Sequence, residues 1–124
     1  MLSQSLSSFI RCCIPTYQAA EVLLFFAANP ERAFNAEEIV VSMRPVVITV
    51  PAVKEYAEGF VACRLVAEAD GRWRYAPSSS ELEKAIGELS HAYNERPVTL
   101  IGAIYRIADD TNQSFADSFR LGKD

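Results

Sequence analysis

The sequence has few of the residues that build disulfide frameworks, metal sites or phosphate loops. Its 124 residues include three cysteines, one histidine and five glycines. Cys12 and Cys13 are adjacent and Cys63 stands alone, so there is neither a CxxC pair with zinc-binding spacing nor an even set for disulfide bonds. We expect three reduced, half-buried thiols, because free cysteine usually packs as a small hydrophobic residue. We also expect no metal and no cofactor.

A membrane-spanning run is missing as well. The longest nearly continuous apolar stretch is Ala19–Ala28, which Glu21 interrupts and Asn29-Pro30 ends. This stretch is about half as long as a helix that crosses a bilayer. The first ten residues also lack the basic region and long apolar run of an export signal. We therefore expect a cytoplasmic protein that does not contact a membrane.

Neither half of the chain is basic. Twelve lysines and arginines stand against sixteen acidic residues, a formal net charge of −4. Residues 1–77 have seven basic and eight acidic residues, and residues 78–124 have five and eight. This charge favours solubility and differs from the strong positive charge of most nucleic-acid-binding proteins. The apolar fraction of 50% is ordinary for one globular domain of this length.

Signals of catalysis are weak. His91 lies on a predicted helix without a cysteine or serine nucleophile in a strained turn beside it. Asp109-Asp110 is typical of a helix end followed by solvent, and the scattered glycines form no phosphate-binding loop. The sequence therefore predicts a protein without enzymatic activity.

Three helices are predicted in the first half of the chain, each preceded by a residue that favours a helix N-cap. These caps are Thr16, Asn35 and Thr49. The first helix is apolar on almost all sides, which is typical of a helix at the centre of a core. The third helix has apolar residues spaced i, i+3, i+4, i+7 and i+8, namely Val53, Tyr56, Ala57, Phe60 and Val61.

A β-hairpin is predicted next. Two extended runs, residues 65–69 and 72–75, are joined by Asp70-Gly71, which is a strong signal for a two-residue hairpin turn. In the second run, Trp73 and Tyr75 alternate with two arginines. Because successive strand residues point to opposite faces, we expect the aromatic side chains to face the core and the arginines to face outward.

The order helix, short strand, helix, turn, helix and hairpin resembles the winged helix-turn-helix domains of bacterial transcriptional regulators. The resemblance covers Pro15–Pro77. It is carried by the Thr49-capped helix with Val53, by the run Val61–Val66 and by the hairpin Ala69–Tyr75.

This resemblance implies a mainly α-helical fold with a small β-hairpin. Residues 1–77 would form the winged-helix domain, and residues 78–124 a C-terminal helical extension. The sequence departs from the family at Cys63, where a glycine commonly closes the third helix. The same scaffold also serves as a protein-binding module, so the fold alone does not decide the function.

If the resemblance extends to function, the helix Val50–Ala62 enters the DNA major groove and the hairpin touches the backbone or minor groove. Glu55 and Glu58 fit this role poorly, because base and phosphate contacts usually come from cationic or amide side chains, although glutamate can accept a hydrogen bond from cytosine. In the alternative without DNA binding, the glutamates are ordinary solvated charges, and the hairpin arginines lie over neighbouring carboxylates. The candidate DNA-contacting residues are Arg44, Thr49, Lys54, Glu55, Glu58, Arg72 and Arg74.

The C-terminal part contains more apolar surface than is needed to cover one small winged-helix domain. A longer helix is predicted after Pro77, with capping-box spacing at Ser80 and Glu83, and another is predicted after Pro97. Their apolar stripes either fold back on the first helix or pair with a second copy, and we favour a twofold homodimer. The candidate interface residues are Leu82, Ile86, Leu89, Tyr93, Ile101, Ile104, Tyr105, Phe115 and Phe119.

Two functional hypotheses follow. The first is a non-catalytic, transcription-associated regulator that binds DNA as a homodimer through the third helix and the hairpin arginines. The second is a winged-helix protein–protein interaction module without DNA binding, which uses the acidic helix face or the C-terminal extension. Analogy at the level of the fold favours the first hypothesis, and the local charge favours the second.

Overall fold

A computed structural model describes residues 2–109. This part of the chain is mainly helical with a small three-stranded antiparallel sheet, so the predicted fold class is confirmed at that level. The elements are α1 (Gln4–Cys13), α2 (Tyr17–Ala28), β1 (Ala33–Phe34), α3 (Ala36–Ser42), α4 (Val50–Ala62), β2 (Val66–Ala69), β3 (Arg72–Tyr75), α5 (Ser80–Glu95) and α6 (residues 97–109).

The predicted caps of α2, α3 and α4 are confirmed. The side-chain oxygens of Thr16, Asn35 and Thr49 each accept a hydrogen bond from the backbone N–H three residues later, at 3.0, 2.8 and 3.2 Å. These bonds satisfy backbone donors that the first turn of a helix leaves unpaired.

The cap of α5 differs from the prediction by one residue. Ser79 has the extended backbone of an N-cap, with φ −146°, and its hydroxyl accepts a hydrogen bond from the N–H of Leu82. Ser80 is already the first helical residue. The predicted capping box of Ser80 with Glu83 was therefore wrong, because the serine run allows the helix to begin at more than one position.

The end of α4 explains the departure at Cys63. The left-handed residue is Arg64, with φ 64°, whereas Cys63 keeps a helical backbone with φ −84°. The N–H of Leu65 donates to the carbonyl of Phe60 at 2.9 Å, and the N–H of Arg64 donates to that of Val61 at 3.0 Å. This is the Schellman pattern, so the position that benefits from a glycine backbone is residue 64.

The sheet forms around the hairpin. The strand order is β1-β3-β2, and β1 comes from the short link before α3. Asp70 and Gly71 both have positive φ, 56° and 76°, which matches the tight hairpin turn predicted for them. Trp73 lies opposite Phe34 on one side and Glu68 on the other, and it is only 5% exposed. Its predicted core-facing position is confirmed.

The most apolar helix, α2, lies at the centre of the core. Its buried residues are Ala19, Ala20, Val22, Leu23 and Phe26, each fully shielded from solvent. Within residues 2–109, no single helix has both the length and the apolar content to cross a membrane. The pair α1 and α2 meets the same criteria only jointly, with a bend of 100° between them.

The first helix, α1, is not among the predicted elements. Ser3 caps it by accepting a hydrogen bond from the N–H of Leu6, and the same hydroxyl donates to the carboxylate of Glu88 in α5 at 2.7 Å. Leu6, Phe9 and Ile10 are buried. Their i, i+3, i+4 spacing is a helical signal, which the surrounding serines make hard to distinguish from a loop.

The C-terminal helices pack into the same core, which is the fold-back arrangement for several of the predicted interface residues. Ile86, Leu89 and Ile104 are at most 2% exposed, because other helices of the same chain cover them. The hydroxyl of Tyr93 donates to the carboxylate of Glu21 at 3.1 Å. Ile86, Leu89 and Ile104 are thus covered by helices of their own chain.

The remaining predicted interface residues divide in three ways. Leu82 and Ile101 are half-buried, and Tyr105 is 65% exposed. Phe115 and Phe119 lie outside the described residues. The buried face of α6 includes Leu100 and Ala103 beside the predicted Ile104, so it differs in part from the predicted face.

Candidate functional site

The exposed side of α4 is acidic, as its sequence predicted. Val53, Ala57 and Phe60 are buried, which turns Lys54, Glu55 and Glu58 outward. The predicted orientation of this helix is therefore confirmed. Val61 departs slightly from the predicted stripe, because it is 37% exposed at the edge of the buried face.

A cleft of about 470 Å³ opens between α3, α4 and the hairpin, and we call it the acidic cleft. Three carboxylates line it, those of Glu37, Glu58 and Glu68, and Lys54 is the single cation among its lining residues. Their formal charges sum to −2 at neutral pH. The lining residues are Asn35, Ala36, Glu37, Lys54, Glu58, Val61, Glu68, Gly71 and Trp73.

Tertiary structure creates this cleft from three separate segments. Glu68 faces it because Glu68 lies opposite Trp73 in the hairpin, and cross-strand partners share one face of a sheet. Glu37 reaches it from the first turn of α3. Neither residue was among the predicted site residues, although the alternation of the hairpin contained the signal for Glu68.

The predicted hairpin arginines lie on the opposite face of the sheet. The guanidinium of Arg72 forms an ion pair with the carboxylate of Glu38. Arg32 pairs with the same carboxylate at 3.2 Å. The Nε–H of Arg74 donates to the carbonyl of Pro30 at 3.5 Å. For Arg72, the arrangement matches the alternative in which a hairpin arginine lies over a neighbouring carboxylate.

We call Arg32, Arg72 and Arg74 the arginine group. Glu38 is its only bonded carboxylate within the described residues, so the four residues have a formal charge of +2. The hydrogen bond from the backbone N–H of Asn35, followed by the charge of Arg72, lowers the pKa of Glu38 from its ordinary value. Glu38 thus joins the cap of α3 to the hairpin.

We expect the free energy of unfolding to fall less in acid for Glu38→Gln than for the wild type. Because the pKa of Glu38 is lower in the folded state, its stabilising contribution is fully present above the ordinary pKa of 4.5 and is lost as pH falls through the folded pKa. Urea unfolding at pH values from 3 to 7 measures this free energy. The difference in the free energy of unfolding between the wild type and the variant should become smaller as the pH falls.

The matched control for this experiment is Glu37→Gln. It removes one charge from the same helical turn and leaves the contacts of Glu38 intact. Because Glu38 is still present in this control, the contribution of Glu38 to the free energy of unfolding should still be lost in acid. A constant difference between the wild type and Glu38→Gln across this pH range would contradict the role assigned to the carboxylate.

The other predicted DNA-contacting residues have separate positions. The hydroxyl of Thr49 accepts a hydrogen bond from the N–H of Ala52 and so caps α4. Arg44 is exposed in the turn between α3 and α4. His91 is exposed on α5. Among residues 2–109, no three histidine, cysteine or acidic side chains are placed to hold a metal ion.

The described site residues thus form two surfaces of opposite charge on the two faces of one hairpin. The acidic cleft lies on the side of Trp73, and the arginine group lies on the side of Arg72. No family model matches the chain, and no curated protein or solved structure matches it either.

Proposed function

We propose that the chain is a non-catalytic winged helix-turn-helix module that binds a lysine- or arginine-bearing protein segment in the acidic cleft. The fold part of the proposal is supported by the order α2, β1, α3, α4, β2, β3 and by the position of β3 between the other two strands. In winged helix-turn-helix domains, the second helix of the motif and the hairpin form the binding surface. Here that surface is the side of α4 that adjoins the hairpin.

The negative charge of this surface is the observation that favours a cationic partner. DNA binding requires cations against phosphates, yet Glu37, Glu58 and Glu68 surround the cleft beside α4. The same carboxylates complement a cationic side chain. Val61 and Trp73 also line the cleft, and they provide apolar surface for the methylene groups that lysine and arginine carry below their charges.

DNA binding is a second candidate function, which the arginine group favours. Arg72 and Arg74 are exposed on one face of the hairpin, and the exposed Arg32 shares the carboxylate of Glu38 with Arg72. Glu38 offsets only one of these three positive charges. A hairpin with such a face is able to contact phosphates while α4 approaches a groove. In this alternative the chain is a transcription-associated regulator that binds DNA as a homodimer.

Fluorescence anisotropy tests the protein-binding proposal. The probe is a labelled 12-residue peptide of alternating lysine and alanine, compared with the corresponding glutamate–alanine peptide. We expect Glu58→Gln/Glu68→Gln to weaken binding of the lysine peptide by about fivefold or more, because two of the attractive charges are removed.

The matched control is Glu81→Gln/Glu95→Gln, which gives the same net charge but changes exposed residues of α5. It should bind the lysine peptide nearly as well as the wild type. Equal weakening in both double variants would mean that the peptide senses only net charge, and it would overturn the acidic cleft as the binding site.

A labelled 20-base-pair duplex of random sequence separates the two candidate functions. The protein-binding proposal predicts no DNA binding from about 20 mM to 200 mM salt, whereas phosphate contacts produce binding that weakens steeply with salt. Salt-dependent DNA binding that disappears in Arg72→Ala/Arg74→Ala would replace the proposal with the DNA-binding alternative.

A further inference from the structure

The three cysteines lie together where α1 meets the end of α4. Cys12 and Cys13 are the last two residues of α1, and Cys63 is the C-cap of α4. The thiol of Cys63 donates to the backbone carbonyl of Cys12, with a distance of 3.6 Å between sulfur and oxygen. The fold therefore brings together thiols that are about 50 residues apart in the sequence.

The environment separates these thiols into two kinds. Cys13 and Cys63 are half-buried, as predicted for free thiols, whereas Cys12 is exposed, which differs from the prediction. Cys13 borders two clefts, one against Leu82 of α5 and the other against Gly59 and Phe60 of α4. Small solutes thus have a route to Cys13 from two sides.

We propose that Cys13 and Cys63 form a reversible disulfide that ties α1 to the end of α4, by exchange with a low-molecular-weight disulfide such as oxidised glutathione. Cys63 is oriented towards the Cys12-Cys13 backbone by its hydrogen bond. The direction of its side chain thus favours a partner on α1. This inference does not depend on the proposed function.

The exchange balances in two steps. The Cys63 thiolate attacks one sulfur of the small disulfide, so a mixed disulfide forms and the first small thiolate leaves. The Cys13 sulfur then attacks the sulfur of Cys63 and displaces the second small thiolate. Two protons pass from the protein thiols through water to the departing thiolates. Two electrons leave the cysteines, which are oxidised, and the small disulfide is reduced to two thiols.

The surroundings of Cys13 slow the second step. Burial, and after it the neighbouring Cys63 thiol, raise the pKa of Cys13. The thiolate is the attacking species, so closure of the disulfide should accelerate as pH rises.

The experiment uses the full chain in a variant that keeps only the proposed pair. Cys12→Ser alters an exposed side chain, so the fold should be unaffected. After incubation with oxidised glutathione, trypsin cleavage should yield residues 12–32 covalently joined to residues 55–64, because cleavage follows Arg11, Arg32, Lys54 and Arg64. Reduction with dithiothreitol should separate the two peptides.

The matched control is Cys13→Ser, which keeps Cys12 and Cys63. The joined peptides should form at least about tenfold more slowly in this variant, because Cys12 is exposed whereas Cys13 is half-buried beside the thiol of Cys63. If they form as fast as in Cys12→Ser, or if Cys12→Ser carries only glutathione adducts, the proposed pairing is overturned.

A thermal melt gives a second readout that does not rely on Cys13→Ser folding. Oxidised Cys12→Ser should melt roughly 10 °C or more above its reduced form, because the bond closes a loop of about 50 residues. An unchanged Tm after complete cross-linking would show that the bond strains the native fold, and it would overturn a native-state disulfide.

Discussion

Replacing Phe26 with alanine is expected to lower the free energy of unfolding by about 3–5 kcal/mol, since it empties the centre of the core. Phe26 lies on α2 and is fully buried. Its ring packs edge-on against Phe25, with 6.1 Å between ring centroids. The core is formed by all the surrounding helices, so no single neighbour can move in to fill the space without disturbing others.

The measurement is thermal or urea unfolding followed by circular dichroism. The expected loss corresponds to a fall in Tm of roughly 10–20 °C for a chain of this size. Phe25→Ala is the matched control, because Phe25 is the adjacent residue and is only half-buried. A larger loss in Phe25→Ala than in Phe26→Ala would contradict the position of α2 in the core.

The second large effect is expected from Leu89→Ala, which should cost about 2–5 kcal/mol. Leu89 is fully buried on α5, and α5 packs against α1 and α2 of the same chain. Because its partners belong to one chain, the unfolding midpoints of wild type and variant should be independent of protein concentration. Urea unfolding at about 1 and 100 µM distinguishes this from a dimer, whose stability rises with concentration.

Tyr105→Ala provides the comparison on an exposed apolar residue of α6. It should change the free energy of unfolding by less than about 0.5 kcal/mol, as is usual at the surface. A small effect of Leu89→Ala, together with an unfolding midpoint that depends on protein concentration, would contradict this packing within one chain. It would instead support the twofold homodimer expected from the apolar stripes of the C-terminal helices.

Local signals in the sequence predicted much of the fold. The N-caps Thr16, Asn35 and Thr49 and the turn Asp70-Gly71 act over three or four residues, and each has the conformation that was expected. The interior face of α4 was also predictable, because Val53 and its neighbours repeat with the helical period. Such features do not depend on what the rest of the chain does.

Long-range packing was not predictable in the same way. The apolar stripe of α5 is compatible with a partner in the same chain or in a second copy, and the serine-rich sequence of α1 does not identify that helix as one of its partners. The acidic cleft combines Glu37, Glu58 and Glu68 from three elements whose relative positions only the folded structure defines. The pairing of Arg72 with Glu38 likewise spans 34 residues.

The hydrogen bond between Ser3 and Glu88 also has a consequence for the order of events on the ribosome. The two residues are 85 positions apart. At about 5–20 residues per second, roughly 4–17 s pass between the synthesis of α1 and that of its partner on α5. The residues of α2, the sheet and α4 are synthesised during this time. The side of α1 that will contact α5 is not yet covered by that helix. α1 is therefore among the last of these helices to dock, although α2 and α4 are synthesised after it.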